Sequence, residues 1–441
     1  MRDTSRMAIP SRPQGGHTPA ASDVDEAPLL RLAAIGSVDD GKSTLIGRFL
    51  HDTKQLFRDQ IQAVADASAR RGVEGVELAY VTDGLKAERE QGITIDVAYR
   101  YAATSSRKLI IADCPGHVEY TRNMATGAST ADAAVMVVDV EKGMREQTKR
   151  HLAIARLMGI TAVVAAVNKM DRVDWKEEAF TSVAGELQDF AAELGVSTMI
   201  IVPISALYGD NVVSSSPRAP WYSGPSVFTA VDSLPGATSL ASSVEGARFP
   251  VQWTVRSTNG GREYAGMVLG GILHRGDTVT VLPRNIRATV EAIATISGPA
   301  ELAAPGESAR ITLAEDIDVS RGDTLATGTL PSTSRELEVT MLWFSSTPLL
   351  AGKRYVLRHS TKETQARVTE VTGVVDLEAR SIVPFDSIEE HGIGVVKVET
   401  ADPVVHDAYT ACKGMGSLIL VDPVTGDTCG CGLLGVDTFA R

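Results

Sequence analysis

Apolar positions in the first half of the chain form short continuous runs that alternate with segments of helical periodicity. Buried strands are indicated by the runs "LRLAAIG", "RKLIIADCPG", "AAVMVVDV", "AVVAAVNK" and "MIIVPIS". Helices are predicted between them, for example "GKSTLIGRFLHD" and "EQTKRHLAIARLMG". Continuous apolar strands joined by helices are typical of a doubly wound, mostly parallel sheet that is covered on both faces. We therefore predict an α/β domain over residues 29–240.

The pattern changes after a stretch at 209–247 that is rich in Ser, Gly and Pro. From Phe249 onward, short alternating strands are separated by Gly-Asp or Gly-Pro, as in "GMVLGGILHRGDTVTVLP", and a second β-rich block begins near Arg335. Such spacing is typical of small antiparallel barrels. The sequence thus predicts two all-β barrel domains, at 245–331 and at 332–441.

Composition limits the classes of protein that the chain can belong to. Of 441 residues, 44% are hydrophobic and 22% are charged, which is ordinary for a globular protein. Residues 1–28 are rich in Pro, Gly, Ser and Ala and predict a disordered leader. No apolar run approaches the roughly 20 residues that span a bilayer, so we expect no membrane association. The net charge of −12 disfavours a large nucleic-acid footprint, and we expect no nucleic-acid partner.

The chain has four cysteines, unevenly placed, which favours a reducing cytoplasm over a disulfide framework. Cys429 and Cys431 lie near the C-terminus without a second Cys/His pair nearby. In a strand, alternation would place both thiols on one face, where small side chains pack well. We predict packing for this pair and no metal site.

The segment "AAIGSVDDGKSTLIG" follows a predicted strand and opens a predicted helix, which is the context of a phosphate-binding loop. Backbone N–H groups of such a loop surround phosphate oxygens, while its Lys contacts the β- and γ-phosphates and its Ser ligates Mg²⁺. The predicted phosphate-binding residues are Gly36, Ser37, Val38, Asp39, Asp40, Gly41, Lys42, Ser43 and Thr44.

A second segment, "DCPGH", ends another predicted strand. Here Asp113 can reach Mg²⁺ through water, and the N–H of Gly116 can meet the γ-phosphate. In "EREQGITIDV", Thr94 is the candidate threonine that is ordered on Mg²⁺ by the γ-phosphate. The predicted metal ligands are Ser43, Thr94 and Asp113, and the predicted nucleotide contacts of the segment are Asp113, Cys114, Pro115, Gly116 and His117.

The base is indicated by "NKMD" and "SAL", which also end predicted strands. Asp171 can accept hydrogen bonds from N1–H and the N2 amine of guanine, whereas adenine offers neither donor and would leave a carboxylate unpaired. A backbone N–H of "SAL" can meet the guanine O6. The predicted ligand is therefore GTP, and its predicted contacts here are Asn168, Lys169, Met170, Asp171, Ser205, Ala206 and Leu207.

His117 directly follows the glycine that meets the γ-phosphate. A lone histidine is more often structural than catalytic, but this position is one from which an attacking water is oriented. We predict that His117 is catalytic.

These motifs resemble the translation-factor class of GTPases, in which a GTP-binding domain precedes two β-barrels. Within that class the chain is most similar to the GTPase subunit of bacterial sulfate adenylyltransferase (ATP sulfurylase). The resemblance runs from about residue 30 to the C-terminus. It is carried by "GSVDDGKSTLIGRFLHDTK", "TDGLKAEREQGITIDVAYRYAAT", "GHVEYTRNMATGASTADAA", "VNKMDRVDW", "ISALYGDNVV" and "PWYSGP".

This resemblance implies GTP and Mg²⁺ as cofactors and a separate small catalytic subunit as partner. The partner forms adenylylsulfate and pyrophosphate from ATP and sulfate, and GTP hydrolysis by this chain drives that reaction. It further implies that Val38 and Ile93 flank the attacking water as apolar residues, and that Asp39 lies near the phosphates. One departure is Cys114, where the class usually has Thr.

Two other functions stay open from the sequence. One is a translational GTPase that delivers aminoacyl-tRNA, which salt-dependent tRNA binding would reveal. The other is a regulatory switch that binds GTP without significant turnover, which a hydrolysis measurement would distinguish. A metabolic kinase is less compatible, because it would leave "NKMD" unexplained.

Overall fold

The computed structural model describes residues 28–55, 94–104, 106–235, 243–256 and 261–437. Within these ranges the chain forms one α/β domain followed by two antiparallel barrels. The α/β domain with two all-β barrels that the sequence predicts is confirmed. The predicted leader at 1–28 lies almost wholly outside the described residues, as does Ile93.

The α/β domain is built on a six-stranded sheet with the order β2-β3-β1-β4-β5-β6. All neighbours are parallel except β2, an edge strand that runs antiparallel to β3. The strand β2 was not among those predicted, because "AYRYAA" is half exposed and has no continuous apolar run. The strands are β1 (Leu29–Gly36), β2 (Ala98–Ala103), β3 (Lys108–Asp113), β4 (Ala133–Asp139), β5 (Ala162–Asn168) and β6 (Thr198–Pro203).

Helices cover both faces of this sheet, which is why its central strands β4 and β5 are buried at every position. One apolar cluster includes residues of β1 and α1, and the other includes residues of α2, α3 and α4. The helices are α1 (Lys42–Asp52), α2 (Thr121–Ser129), α3 (Glu146–Leu157), α4 (Glu177–Glu193) and α5 (Val227–Ser233), with 3₁₀ turns at Val118–Tyr120 and Met170–Val173.

The first barrel closes because β10 pairs with both β15 and β11, which completes the ring β10-β15-β7-β8-β14-β11. Its interior is a separate apolar cluster around Phe249, Tyr264 and Ile311. Its strands are β7 (Arg248–Arg256), β8 (Arg262–Met267), β9 (Leu273–His274), β10 (Thr278–Leu282), β11 (Ile286–Thr295), β12 (Gly298–Ala300), β13 (Leu302–Ala303), β14 (Ser308–Leu313) and β15 (Thr324–Ala326).

The second barrel closes in the same way, since β18 pairs with both β23 and β19. The ring is β18-β23-β24-β16-β22-β19, and Trp343 and Leu357 lie in its core. Its elements are β16 (Ser332–Trp343), β17 (Leu349–Leu350), β18 (Arg354–His359), β19 (Lys362–Asp376), β20 (Ser381–Val383), β21 (Ser387–Ile388), β22 (Ile393–His406), α6 (Lys413–Gly416), β23 (Ser417–Val421) and β24 (Thr428–Leu434).

The second barrel packs directly on the α/β domain. Leu342, Ile393 and Leu433 of the barrel belong to the same apolar cluster as the helix α3. At the edge of this contact the hydroxyl of Tyr409 donates to the carbonyl of Met158 at 3.0 Å. The apolar core is therefore continuous across the two domains.

The cysteine pair packs as predicted, but the prediction that both thiols share one face is wrong. Cys429 lies in the core of the second barrel, whereas Cys431 packs against the cluster shared with the α/β domain. Leu420 of β23 pairs with Gly430, but the next residue, Val421, pairs with Thr428, so the register shifts at Cys429 of β24. Such a bulge adds one residue to a strand and reverses the alternation at that point. Among the described residues no cluster of metal-ligating side chains is found.

A buried ion pair joins the two barrels. Arg248, at the start of β7, is 1% exposed and donates from Nε and Nη2 to the carboxylate of Asp407, at 2.8 and 3.2 Å. Its Nη2 also donates to the carbonyl of Thr329 at 2.7 Å. A guanidinium at this depth is stable only because its donors are paired.

Replacing Arg248 by Met is expected to lower the free energy of unfolding by about 3–5 kcal/mol, because it leaves the Asp407 carboxylate, which is only 11% exposed, without its cation. Urea unfolding followed by far-UV circular dichroism measures the change. The matched control is Arg310→Met, which removes an exposed pair with Glu263 on the same barrel and is expected to cost less than about 1 kcal/mol. Equal losses in the two variants would contradict the role of the buried pair.

Candidate functional site

The loop between β1 and α1 has a backbone that only glycine accommodates at two points. Gly36 has φ 155°, and a Cβ there would lie 2.6 Å from the carbonyl oxygen of Val137. Gly41 has φ 95°, and its Cβ would lie 2.3 Å from Nδ2 of Asn168. The loop ends at the N-terminus of α1, where backbone N–H groups and the helix dipole favour an anion.

Gly116 brings the second segment against this loop. A Cβ on Gly116 would lie 2.7 Å from the carbonyl oxygen of Gly36, so the two segments touch backbone to backbone. Cys114 stands behind them, fully buried, and burial raises the pKa of its thiol to about 12. A Cβ on Gly127 of α2 would lie 2.5 Å from its sulfur, which explains why small side chains occupy this contact.

The oxygen donors predicted for Mg²⁺ lie around the same loop. Ser43 and Thr94 line one cavity. Asp113 is 1% exposed, and its Oδ1 lies 3.9 Å from Nζ of Lys42. Hydroxyl and carboxylate oxygens suit Mg²⁺, which takes few protein ligands when phosphates supply the rest. The residues present therefore fit this metal.

His117 lies at the rim of the same cavity. Its Nδ1 accepts a hydrogen bond from the backbone N–H of Glu119 at 3.3 Å, and it lies 3.7 Å from the Glu119 carboxylate. The side chain is 41% exposed. The ring is thus oriented through one nitrogen while it remains accessible from solvent.

The side chain of Asn168 links three segments that end strands. Its Nδ2 donates to the carbonyl of Asp40 at 2.7 Å, and its Oδ1 accepts from the N–H of Ala206 at 2.9 Å. Lys169 donates to the carbonyl of Asp39 and, at 2.7 Å, to the carboxylate of Asp139. The "NKMD" segment is therefore bonded to the phosphate-binding loop.

Asp171 and the "SAL" segment are also held in place. The hydroxyl of Ser205 donates to the carboxylate of Asp171. The guanidinium of Arg48 donates to the carbonyls of Ala206 and Leu207. Hydrogen bonds from Ser205 and Arg48 thus orient the Asp171 carboxylate and the backbone of Ala206.

The cavity enclosed by these segments has a volume of about 650 Å³. Its lining residues are Ser37, Val38, Asp39, Gly41, Lys42, Ser43, Thr44, Thr94, Gly116, His117, Lys142, Lys169 and Arg172. The other predicted residues do not line this cavity. Met170, Cys114 and Pro115 are buried behind it, and Asn168, Asp171, Ser205, Ala206 and Leu207 form the adjoining group just described.

Sequence reasoning missed several residues of the site. Lys142 and Arg172 add cations to the cavity. Asp139 ends β4 and is fully buried. Burial alone would raise the pKa of Asp139, but the hydrogen bond from Lys169 and the charge of Lys142 hold it below its usual value. Its place at the end of a strand was an available signal, whereas nothing local marked Arg48.

Family models and a solved structure match much of this chain. Residues 27–247 match the family model described as the elongation factor Tu GTP binding domain, and residues 336–434 match the GTP-eEF1A C-terminal domain-like model. A chain of Sup35 solved with GDP matches 95% of this chain and 96% of its own length at 22% identity, with a TM-score of 0.41.

Curated relatives are more similar. Sulfate adenylyltransferase subunit 1 of Laribacter hongkongensis is 44% identical over 92% of this chain and 85% of its own length. The bifunctional enzyme CysN/CysC of Mycobacterium tuberculosis is 44% identical over 94% of this chain and 68% of its own length. The bifunctional enzyme NodQ of a Rhizobium species is 42% identical over 94% of this chain, and the chain spans 65% of its length.

The motifs, their arrangement around one cavity and these relatives agree. The chain belongs to the sulfate adenylyltransferase subunit 1 family of GTPases, with a GTP-binding domain of the elongation factor Tu type.

Proposed function

We propose that this chain binds and hydrolyses GTP, and that the hydrolysis drives the formation of adenylylsulfate and pyrophosphate from ATP and sulfate on a separate small catalytic subunit. The observation that supports it most strongly is the bonding of the "NKMD" segment to the phosphate-binding loop through Asn168 and Lys169. If the triphosphate of a nucleotide binds the loop and its base binds the "NKMD" segment, these bonds hold the two binding positions at a fixed separation.

Guanine fits the base side of the site. The Asp171 carboxylate, oriented by Ser205, accepts from N1–H and the N2 amine. O6 would be met by a backbone N–H of the "SAL" segment, whose Ala206 N–H also donates to Oδ1 of Asn168. Adenine in this position would offer the carboxylate neither of these two donors, at a cost of about 1–3 kcal/mol.

The phosphates fit the cationic cavity. Lys42 and the N–H groups at the start of α1 contact the β- and γ-phosphates, and Lys142 and Arg172 add positive charge. Ser43, Thr94 and Asp113 would hold Mg²⁺, which when bound neutralises phosphate charge. The Thr94 segment is tied to α2, since the amide of Asn123 donates to the carbonyl of Ile95 at 2.9 Å.

Hydrolysis requires that a water attack the γ-phosphorus while the bond to the β-phosphate oxygen breaks, releasing GDP and phosphate. His117 is the proposed residue that orients this water, since it lies at the cavity rim next to Gly116. Val38 lines the cavity, and Ile93, its proposed counterpart, lies outside the described residues.

Adenylyl transfer is the energetically difficult step, because the sulfate–phosphate anhydride is a high-energy bond. Sulfate oxygen attacks the α-phosphorus of ATP and pyrophosphate leaves. GTP hydrolysis can drive this only if the partner subunit binds the GTP and GDP states of this chain with different free energies. The name "subunit 1" of the relatives supports the existence of such a partner.

The other functions are less well supported. Two of the relatives are named sulfate adenylyltransferase subunit 1, a name that refers to sulfate rather than to tRNA delivery. Among the described residues, none of the helices has both the length and the apolarity to cross a bilayer. A cytoplasmic location remains a prediction from the cysteine content.

Co-expression with a candidate small subunit tests the coupled reaction. We expect a stable complex in which pyrophosphate release from ATP and sulfate rises when GTP is added, because hydrolysis favours the adenylylsulfate side. A non-hydrolysable GTP analogue is the control and should not sustain the increase. A complex whose pyrophosphate release is indifferent to GTP would contradict the proposal.

Asp171→Asn is expected to shift the preference from guanosine toward xanthosine nucleotides, because the carboxylate that accepts from the N2 amine is lost. Competition binding of GTP and XTP measures the shift. Asp174→Asn is the matched control, since Asp174 is exposed in the same segment and Asn tolerates its left-handed backbone. Unchanged preference in Asp171→Asn would contradict the assignment of the base contact.

His117→Ala is expected to keep GTP binding but to slow hydrolysis by about 100-fold or more, as is typical when a water-orienting group is lost. Single-turnover hydrolysis and the equilibrium dissociation constant separate the two effects. His274→Ala, on the surface of the first barrel, is the control. Normal turnover in His117→Ala would show that another group orients the water.

A further inference from the structure

The phosphate-binding loop contains a buried carboxylate whose partner none of the nucleotide motifs supplies. Asp40 is 1% exposed, and its Oδ1 accepts a hydrogen bond from Nη2 of Arg145 at 2.9 Å. Arg145 directly precedes α3 and lies 105 positions further along the chain. The pair is therefore a contact between two elements of the fold.

Asp40 closes the first turn of the loop. Its Oδ2 accepts from the backbone N–H of Ser37 at 3.3 Å, and its own N–H donates to the Ser37 carbonyl at 3.4 Å. Its carbonyl accepts from Asn168. The orientation of this one side chain thus fixes the backbone between Ser37 and Asp40, which lines the cavity.

A carboxylate at this place opposes the binding of a triphosphate, since like charges repel more strongly where water is excluded. Burial raises the pKa of Asp40, while the charges of Arg145 and Lys142 act in the opposite direction. Arg145 makes the direct contact and is 42% exposed, so its own desolvation is incomplete. Its cation therefore compensates the carboxylate without being buried itself.

We propose that Arg145 is a positioning residue for the nucleotide, which neutralises the Asp40 carboxylate and keeps the loop in the shape that accepts the phosphates of GTP. The inference rests on the proposed binding of GTP. Arg145 acts through Asp40 and needs no contact with the nucleotide.

GTP binding by variants of Arg145 and Asp40 distinguishes a positioning role from a purely structural one. Arg145→Met leaves a buried, unpaired carboxylate beside the phosphates, and we expect the dissociation constant for GTP to rise about tenfold or more. Arg145→Lys keeps the charge but not the planar donor group, so its constant should be intermediate. Adding Asp40→Asn to Arg145→Met removes the uncompensated charge, so the double variant should bind GTP more tightly than Arg145→Met alone.

Equilibrium binding of a fluorescent GTP derivative to the full chain measures these constants, with the thermal midpoint of each nucleotide-free variant recorded beside them. Arg150→Met is the matched control on α3, where Arg150 pairs with exposed Glu146 at 2.8 Å, and it should bind GTP like the unchanged chain.

A double variant that binds no better than Arg145→Met, or an Arg145→Met chain that binds normally, would overturn the positioning role alone. Absence of GTP binding by the unchanged chain would instead overturn the proposed function, and this inference with it.

Discussion

The amide side chain of Asn168 is the contact on which the proposed nucleotide site depends. It is 3% exposed and bonds the loop after β1 to the segment after β6, with hydrogen bonds of 2.7 and 2.9 Å. Gly41 must lack a side chain because this amide occupies the space that a Cβ would take. Without these bonds, two backbone groups would be buried unpaired, and the phosphate and base sides of the site would no longer be held together.

Around this contact, charge is arranged in opposite-sign pairs. Lys169 bridges the loop carbonyl of Asp39 and the buried carboxylate of Asp139, and Arg145 compensates Asp40. Asp40 and Asp139 are paired behind the cavity, while, among the described residues, four cations and a single carboxylate line it, so a chain of net charge −12 still offers a locally positive site. An overall acidic composition excludes a broad basic surface but not a cavity of this kind.

Apolar packing and paired polar groups also hold the barrels in place. The second barrel packs on α3. Arg145, which contacts Asp40 in the loop of the proposed nucleotide site, directly precedes this helix. One helix therefore lies between that loop and the domain interface. Arg248 and Asp407 tie the first barrel to the second. The apolar packing supplies most of the stability, while the buried ion pair adds charge-assisted hydrogen bonds between the two barrels.

The sequence by itself determined the domain order, the strands that end in polar motifs and the candidate residues for GTP, because each motif is contiguous and follows a buried strand whose apolar run is visible. Only the tertiary structure decided which distant residues complete the site. Arg48, Asp139 and Arg145 act on segments 30 to 159 positions away, and no local pattern records such contacts. The edge strand β2 and the bulge at Cys429 were missed for the same physical reason, since pairing partners and register are set by neighbouring strands rather than by propensity within one segment.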